Sequence, residues 1–156
     1  MTIVMFFYLL SLVCWLGAII FFSFFTAPVV FTRLPIHDAG KVISAIFPRY
    51  YILGYVAGAV ALLLAFYLME TQGERGWWSA TIAALFFALA CTVYAGVVIR
   101  PRIDAIRTVV EQPNPDPAKK AEFDQMHQLS VTLNGVVLLL NLFALFTTAG
   151  AITHHG

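Results

Sequence analysis

Charge is what this chain has least of. Only 11% of its 156 residues are Asp, Glu, Lys or Arg, against about 25% in soluble domains. That scarcity excludes a disordered chain, which needs much charge and few apolar residues. Nine basic residues face eight acidic ones, a net charge of +1, which excludes a nucleic-acid binder relying on bulk positive charge. Cysteine is scarce too. Cys14 and Cys91 lack metal-type spacing and read as ordinary packing residues. No phosphate-cradling loop, nucleophile–base pair or pair of catalytic carboxylates is present, which points away from an enzyme. What abounds is apolar surface. At 61% it exceeds the roughly 45–50% of soluble domains, and a chain of this size has too little interior to hide it.

Four uncharged stretches are long enough to cross a bilayer, which takes about 20 apolar residues per helix. They run over 3–31, 50–69, 77–99 and 129–153. The predicted fold is all-α: a polytopic, antiparallel four-helix transmembrane bundle forming one domain over residues 1–156. The first stretch has no basic n-region and is about twice an h-region in length, so it reads as a mature span and not a signal peptide. It exceeds the membrane thickness and must tilt or bend. Pro28, which lacks an N–H and crowds the carbonyl one turn back, is the expected bend.

Arg33, Lys41 and Arg49 fall in the first loop and Arg100, Arg102, Arg107, Lys119 and Lys120 in the third, leaving only Arg75 of the nine basic residues in the second. This asymmetry predicts loops one and three in the cytoplasm and both termini outside, in a membrane of the bacterial inner type. Trp77 and Trp78 then belong to the outer interface, Tyr50 and Tyr51 to the inner one.

In the first loop Ile36, Ala39, Gly40, Ile43, Ile46 and Phe47 recur at helical spacing. They predict a short amphipathic helix started by Pro35 and ended by Pro48, either lying along the membrane surface or serving as a plain connecting helix that caps the bundle. In the third loop Ile103, Ile106 and Val110 extend span three past Pro101. The prolines at 113, 115 and 117 make a turn, with Asp116 as N-cap and Pro117 in the first helical position. Phe123 and Met126 carry the apolar face on into span four, completing a cytoplasmic helical hairpin. A faint likeness between 33–38 and 100–104 hints at duplicated hairpins.

Span four carries the polar residues that most need a reason. His127, Ser130, Asn134 and Asn141 share one helix face. Amides in lipid must be paired, so the stripe faces the bundle interior. It reads either as interhelical hydrogen bonding or as the wall of a ligand pocket. His127, His37, Asp124 and Asp104 lie at the same end of the bundle and are the candidate ligands for a transition metal. His154 and His155 form a second, C-terminal pair at the other end. Gly54 and Gly58 form Gly-x-x-x-Gly, which suits a homodimer or close packing within one chain. No span has a charge at its centre, which points away from an ion pathway.

The blocks Phe31-Thr-Arg-Leu-Pro35, Gly40-Lys-Val-Ile-Ser44 and Phe47-Pro-Arg-Tyr50, with Pro101 and His127-x-x-Ser130-x-x-x-Asn134, resemble the transmembrane protein 205-like family. The resemblance implies a four-span bundle linked with export of, or resistance to, toxic metal compounds, and it supplies no catalytic residues. More distantly the architecture resembles copper-resistance D and protoporphyrinogen-oxidase-type bundles. Those haem-associated relatives use a histidine early in the first span, and this chain has none there. The leading expectation is a non-enzymatic membrane protein binding a partner or small ligand through a polar pocket at the cytoplasmic end. A haem or metal redox protein using His127, and a small exporter of metals or drugs, are the alternatives. No cofactor is favoured. The expected partners are the lipid bilayer, a second copy of the chain or a larger membrane complex, and no nucleic acid.

Overall fold

Apolar residues here point outward as well as inward. In the computed structural model, which describes residues 1–112 and 114–154, Leu63, Leu139 and Phe146 are 66–68% exposed. The interior between helices is lined instead by Ala57, Ala61, Ala65, Ala84, Ala88, Ala144 and Ala151. This is the pattern of helices that meet within lipid, where small residues let backbones approach and the large ones face acyl chains.

The chain runs through α1 (Thr2–Phe21), α2 (Ala27–Arg33), α3 (Ile36–Gln72), α4 (Arg75–Tyr94), α5 (Arg100–Val110) and α6 (Pro117–His154). Four stretches are long and apolar enough to cross a membrane: Thr2–Arg33, Ile36–Gln72, Arg75–Val110 and Pro117–Thr153. They form an antiparallel bundle in which α1 packs on α3, α3 on α4 and α4 on α6, while α1 and α6 touch sparingly. Loops one and three share one end, joined by a contact between His37 and Glu111. This is the basic end. The turn between α3 and α4 lies at the other, where α3 stops at Gly73 with φ +79°, the left-handed conformation that ends helices.

Two short segments, Phe22–Thr26 before α2 and Ala95–Ile99 before α5, are wound wider than an α-helix. The Ala27 N–H reaches back five residues to Phe22 O, and the Arg100 N–H to Ala95 O. Each wide turn ends two residues before a proline, Pro28 or Pro101. A proline offers no N–H to the carbonyl four residues back, and a wider turn relieves the clash with it. The bend expected at Pro28 therefore takes the form of a local change in winding, repeated in span three.

The amphipathic segment of the first loop is helical, but it is not a separate surface helix. Pro48 lies within α3, and the segment stands on the end of span two. The hairpin of the third loop is present as α5 and the start of α6, packed together. Asp116 caps α6, its carboxylate accepting from the Ala118 N–H at 3.1 Å. Pro113, from the proline turn, and His155, from the C-terminal pair, lie outside the described residues.

Trp15 and Trp78 are the largest fully buried side chains. Trp15 lies over Gly54 and Gly58. A Cβ on Gly58 would come within 2.8 Å of its ring and 2.9 Å of Leu89, so the Gly-x-x-x-Gly face is filled from within the chain. At the end away from the basic loops, threonines tie the spans together. Tyr8 Oη lies 2.6 Å from Thr148 Oγ1, and Thr81 Oγ1 lies 2.7 Å from Thr147 Oγ1. Trp78 meets the Tyr8 ring edge-on at 5.6 Å.

Candidate functional site

Towards the basic end the sparse seam between α1 and α6 opens. The last hydrogen bond across it among the described residues is the Asn134 Nδ2 donating to Ser23 Oγ at 2.7 Å. Beyond that bond the chain of span one continues as α2, and α2 has no packed interface with α6 among the described residues. The space between them, closed from behind by α3 and α5, is a cavity of about 700 Å³. That is the size of a site for a small organic molecule.

Three walls are distinguishable. From span one come Phe22, Ser23, Ala27, Pro28 and Phe31. From α6 come Phe123, His127, Ser130, Val131 and Asn134. The back is formed by α3 and α5, with Phe47, Tyr50 and Tyr51 beside Arg100 and Arg107. The aromatic rings pack as a continuous row, with Phe22 and Tyr50 centred 5.0 Å apart, Phe47 and Tyr51 5.7 Å, and Tyr51 and Tyr55 6.1 Å. Gly96 makes room for this row in the second wide turn. A Cβ there would fall 1.9 Å from the Tyr55 hydroxyl and 2.8 Å from the Tyr51 ring.

The cations are held in place by the chain itself. Arg100 is buried, with its guanidinium carbon 4.4 Å from the Phe47 ring centre, a cation–π contact. Its Nη2 lies 2.7 Å from Asp104 Oδ1, an ion pair whose angles fall outside hydrogen-bond geometry. Arg107 donates through Nη1 to Gly40 O and Ser44 Oγ, tying α5 to α3. Its Nε is buried and meets no acceptor among the described residues. At the rim His37 Nδ1 lies 2.8 Å from Glu111 Oε2.

Of the polar stripe predicted on span four, three residues line this cavity. Asn134 accepts from the Tyr50 hydroxyl as well as donating to Ser23. Ser130 is within reach of the Tyr51 hydroxyl. His127 is exposed and lies parallel to Phe123, ring centres 6.3 Å apart. Asn141 does not join them. It is 1% exposed, donates to Val137 O at 2.9 Å and leaves its Oδ1 without a partner among the described residues.

The candidate metal ligands do not gather. His37 goes to Glu111, Asp104 to Arg100, and Asp124 lies 3.8 Å from Lys120. No three His, Cys, Asp or Glu side chains converge among the described residues. His127 therefore stands apart from the other three, because each carboxylate is drawn to a nearer cation on its own helix and His37 to the carboxylate of Glu111, the residue that follows α5. Cys14 and Cys91 are free thiols, Cys14 on an exposed face and Cys91 half-buried.

Arg100 and Arg107 escaped the sequence reading, which treated them only as loop charge. Their signal lay in Pro101, which forces the wide turn that aims them inward.

A helical bundle with lipid-facing Leu and Phe, alanine-lined seams and four bilayer-length helices is a multi-pass membrane protein. The chain belongs to the family of the domain of unknown function DUF4149, which matches residues 10–112. That match covers most of span one, all of spans two and three, and the cavity's back wall. Nothing among curated proteins or solved structures matches the chain.

Proposed function

We propose that this protein is a non-enzymatic membrane protein that binds a small ligand in the cavity at its basic end. His127, Ser130 and Asn134 serve as one wall of the site. The observation that carries this reading is the cavity itself. It holds about 700 Å³ between walls that are mostly apolar, with a few fixed polar groups converging on it. That combination is the usual character of a small-molecule site. Asn141 lies outside the cavity, bonded within its own helix to Val137 O. The positive-inside rule makes the basic end cytoplasmic and puts both termini outside. The resemblance of loop one and of the start of span four to the transmembrane protein 205-like family is in keeping with a ligand-handling bundle.

The test is to purify the protein in mild detergent and weigh it intact by native mass spectrometry, beside the variant Ala27→Trp. Ala27 lines the cavity, and an indole there fills it. The expected result is a stoichiometric small molecule on the wild type, absent from a variant that unfolds at the same temperature. A folded wild type with no bound molecule, or one that the variant retains, overturns the reading. A coloured ligand lost in His127→Ala replaces it with the cofactor reading.

A further inference from the structure

We infer that the cavity takes an anionic phospholipid from the surrounding bilayer, its phosphate at Arg100 and Arg107 and its acyl chains leaving between α2 and α6. This rests on the ligand-cavity reading and names the class of its occupant.

Three observations converge on it. The first is charge. The cavity lining holds two arginines against the single carboxylate of Glu111, which His37 already engages. Asp104 partners Arg100 from an exposed position on α5 and does not line the cavity. Two guanidinium groups thus face the cavity against one carboxylate.

The second is the state of the donors. Arg107 keeps a buried Nε without an acceptor among the described residues, while its Nη1 is fixed by Gly40 and Ser44. A guanidinium held in this way loses little freedom when a phosphate oxygen arrives. Arg100 is likewise fixed over Phe47. Arginine's planar fork suits phosphate better than a point charge does.

The third is the opening. Phe31 on one lip is 42% exposed and Val131 on the other 60%, and beyond the Ser23–Asn134 bond α2 and α6 share no packed interface among the described residues. An opening with apolar lips between two membrane-spanning helices admits a chain from the side. A free phosphate has no use for such lips or for Phe22, Phe31 and Ile43 inside. Basic pockets between spans at the cytoplasmic face are the recurrent binding sites of acidic head groups.

The experiment uses the full chain in nanodiscs of equal parts phosphatidylglycerol and phosphatidylcholine, released into the mass spectrometer with its retained lipids. Each arginine near a head group favours the acidic lipid by about fivefold, so retention of phosphatidylglycerol over phosphatidylcholine is expected at about twenty-fivefold. Arg107→Gln is expected to lower that preference about fivefold and Arg107→Lys to keep most of it. Because Arg107→Gln also removes ties to α3, Val110→Glu is the companion. It sets a carboxylate in the lining one turn from Arg107 while both arginines and their ties to α3 remain, and it too is expected to lower the preference about fivefold.

Equal retention of both lipids, lost in Ala27→Trp, overturns the anionic-lipid inference and leaves the ligand cavity standing. Retention of neither lipid and of no other molecule overturns both. Displacement of the lipid by excess inorganic phosphate alone reveals a free-phosphate site and likewise overturns the inference.

Discussion

The Tyr50 hydroxyl donates to the side-chain oxygen of Asn134, and the nitrogen of that same amide donates to Ser23 Oγ. One side chain thus joins spans one, two and four at the head of the cavity. Asn134→Ala removes both bonds and is expected to destabilise the bundle by roughly 1–2 kcal/mol, at about 0.6 or more per interhelical bond. Tyr50→Phe is expected to have about half that effect, and the pair to be non-additive in a double-mutant cycle. Reversible unfolding in mixed detergent micelles measures all three. Strict additivity would dissolve the coupling.

Gly58 and Gly135 make a matched test of packing. A methyl on Gly58 meets Trp15 at 2.8 Å, whereas one on Gly135 meets nothing within 4 Å. Gly58→Ala is expected to destabilise by about 1–3 kcal/mol through overpacking. Gly135→Ala is expected to be neutral or to stabilise by up to about 1 kcal/mol through helix propensity. The same unfolding measurement separates them, and equal effects would contradict the Trp15 contact.

At the opposite end Tyr8 and Thr148 are both buried and bonded to one another at 2.6 Å. Thr148→Val keeps the shape and strands the Tyr8 hydroxyl. The expected loss is about 1–3 kcal/mol. Adding Tyr8→Phe to that variant removes the stranded group, and part of the lost stability should return.

Sidedness is open to chemical labelling. In a background with Cys14→Ser and Cys91→Ser, a single Gln112→Cys is expected to resist a membrane-impermeant thiol reagent applied to intact cells. A single Arg75→Cys is expected to react. Both residues are exposed, so accessibility is set by the membrane, and the reverse pattern would invert the assigned orientation.

The four spans were legible because composition alone dictates them: uncharged runs of this length have no other stable home. The cap at Asp116 was legible for the same local reason. Asn134 and Asn141 were not distinguishable, since the two lie on one face and only the opening of the α1–α6 seam tells them apart. Nor was the continuity of α3 through Pro48, which depends on the support of neighbouring helices. The inner face of span three was misread in one respect. Extending it at about 3.6 residues per turn selects Ile103, Ile106 and Val110, yet the cavity is lined by Ile103, Arg107 and Val110, with Arg100 above them. The extra residue taken up in the wide turn shifts the phase, and Arg107 takes the place that regular winding would give to Ile106.

A wide turn is, in the arithmetic of chain length, one inserted residue. Span one carries such an insertion at Phe22–Thr26 and span three at Ala95–Ile99, each followed by its proline. Everything before them keeps the register of a plain bundle, and everything after is rotated by about 100°. A descendant of this chain shortened by one residue in each odd span would keep its four helices, its alanine seams and its threonine ties. It would turn both arginines away from the interior, so the difference between a solid bundle and a hollow one is written here in the presence of two residues.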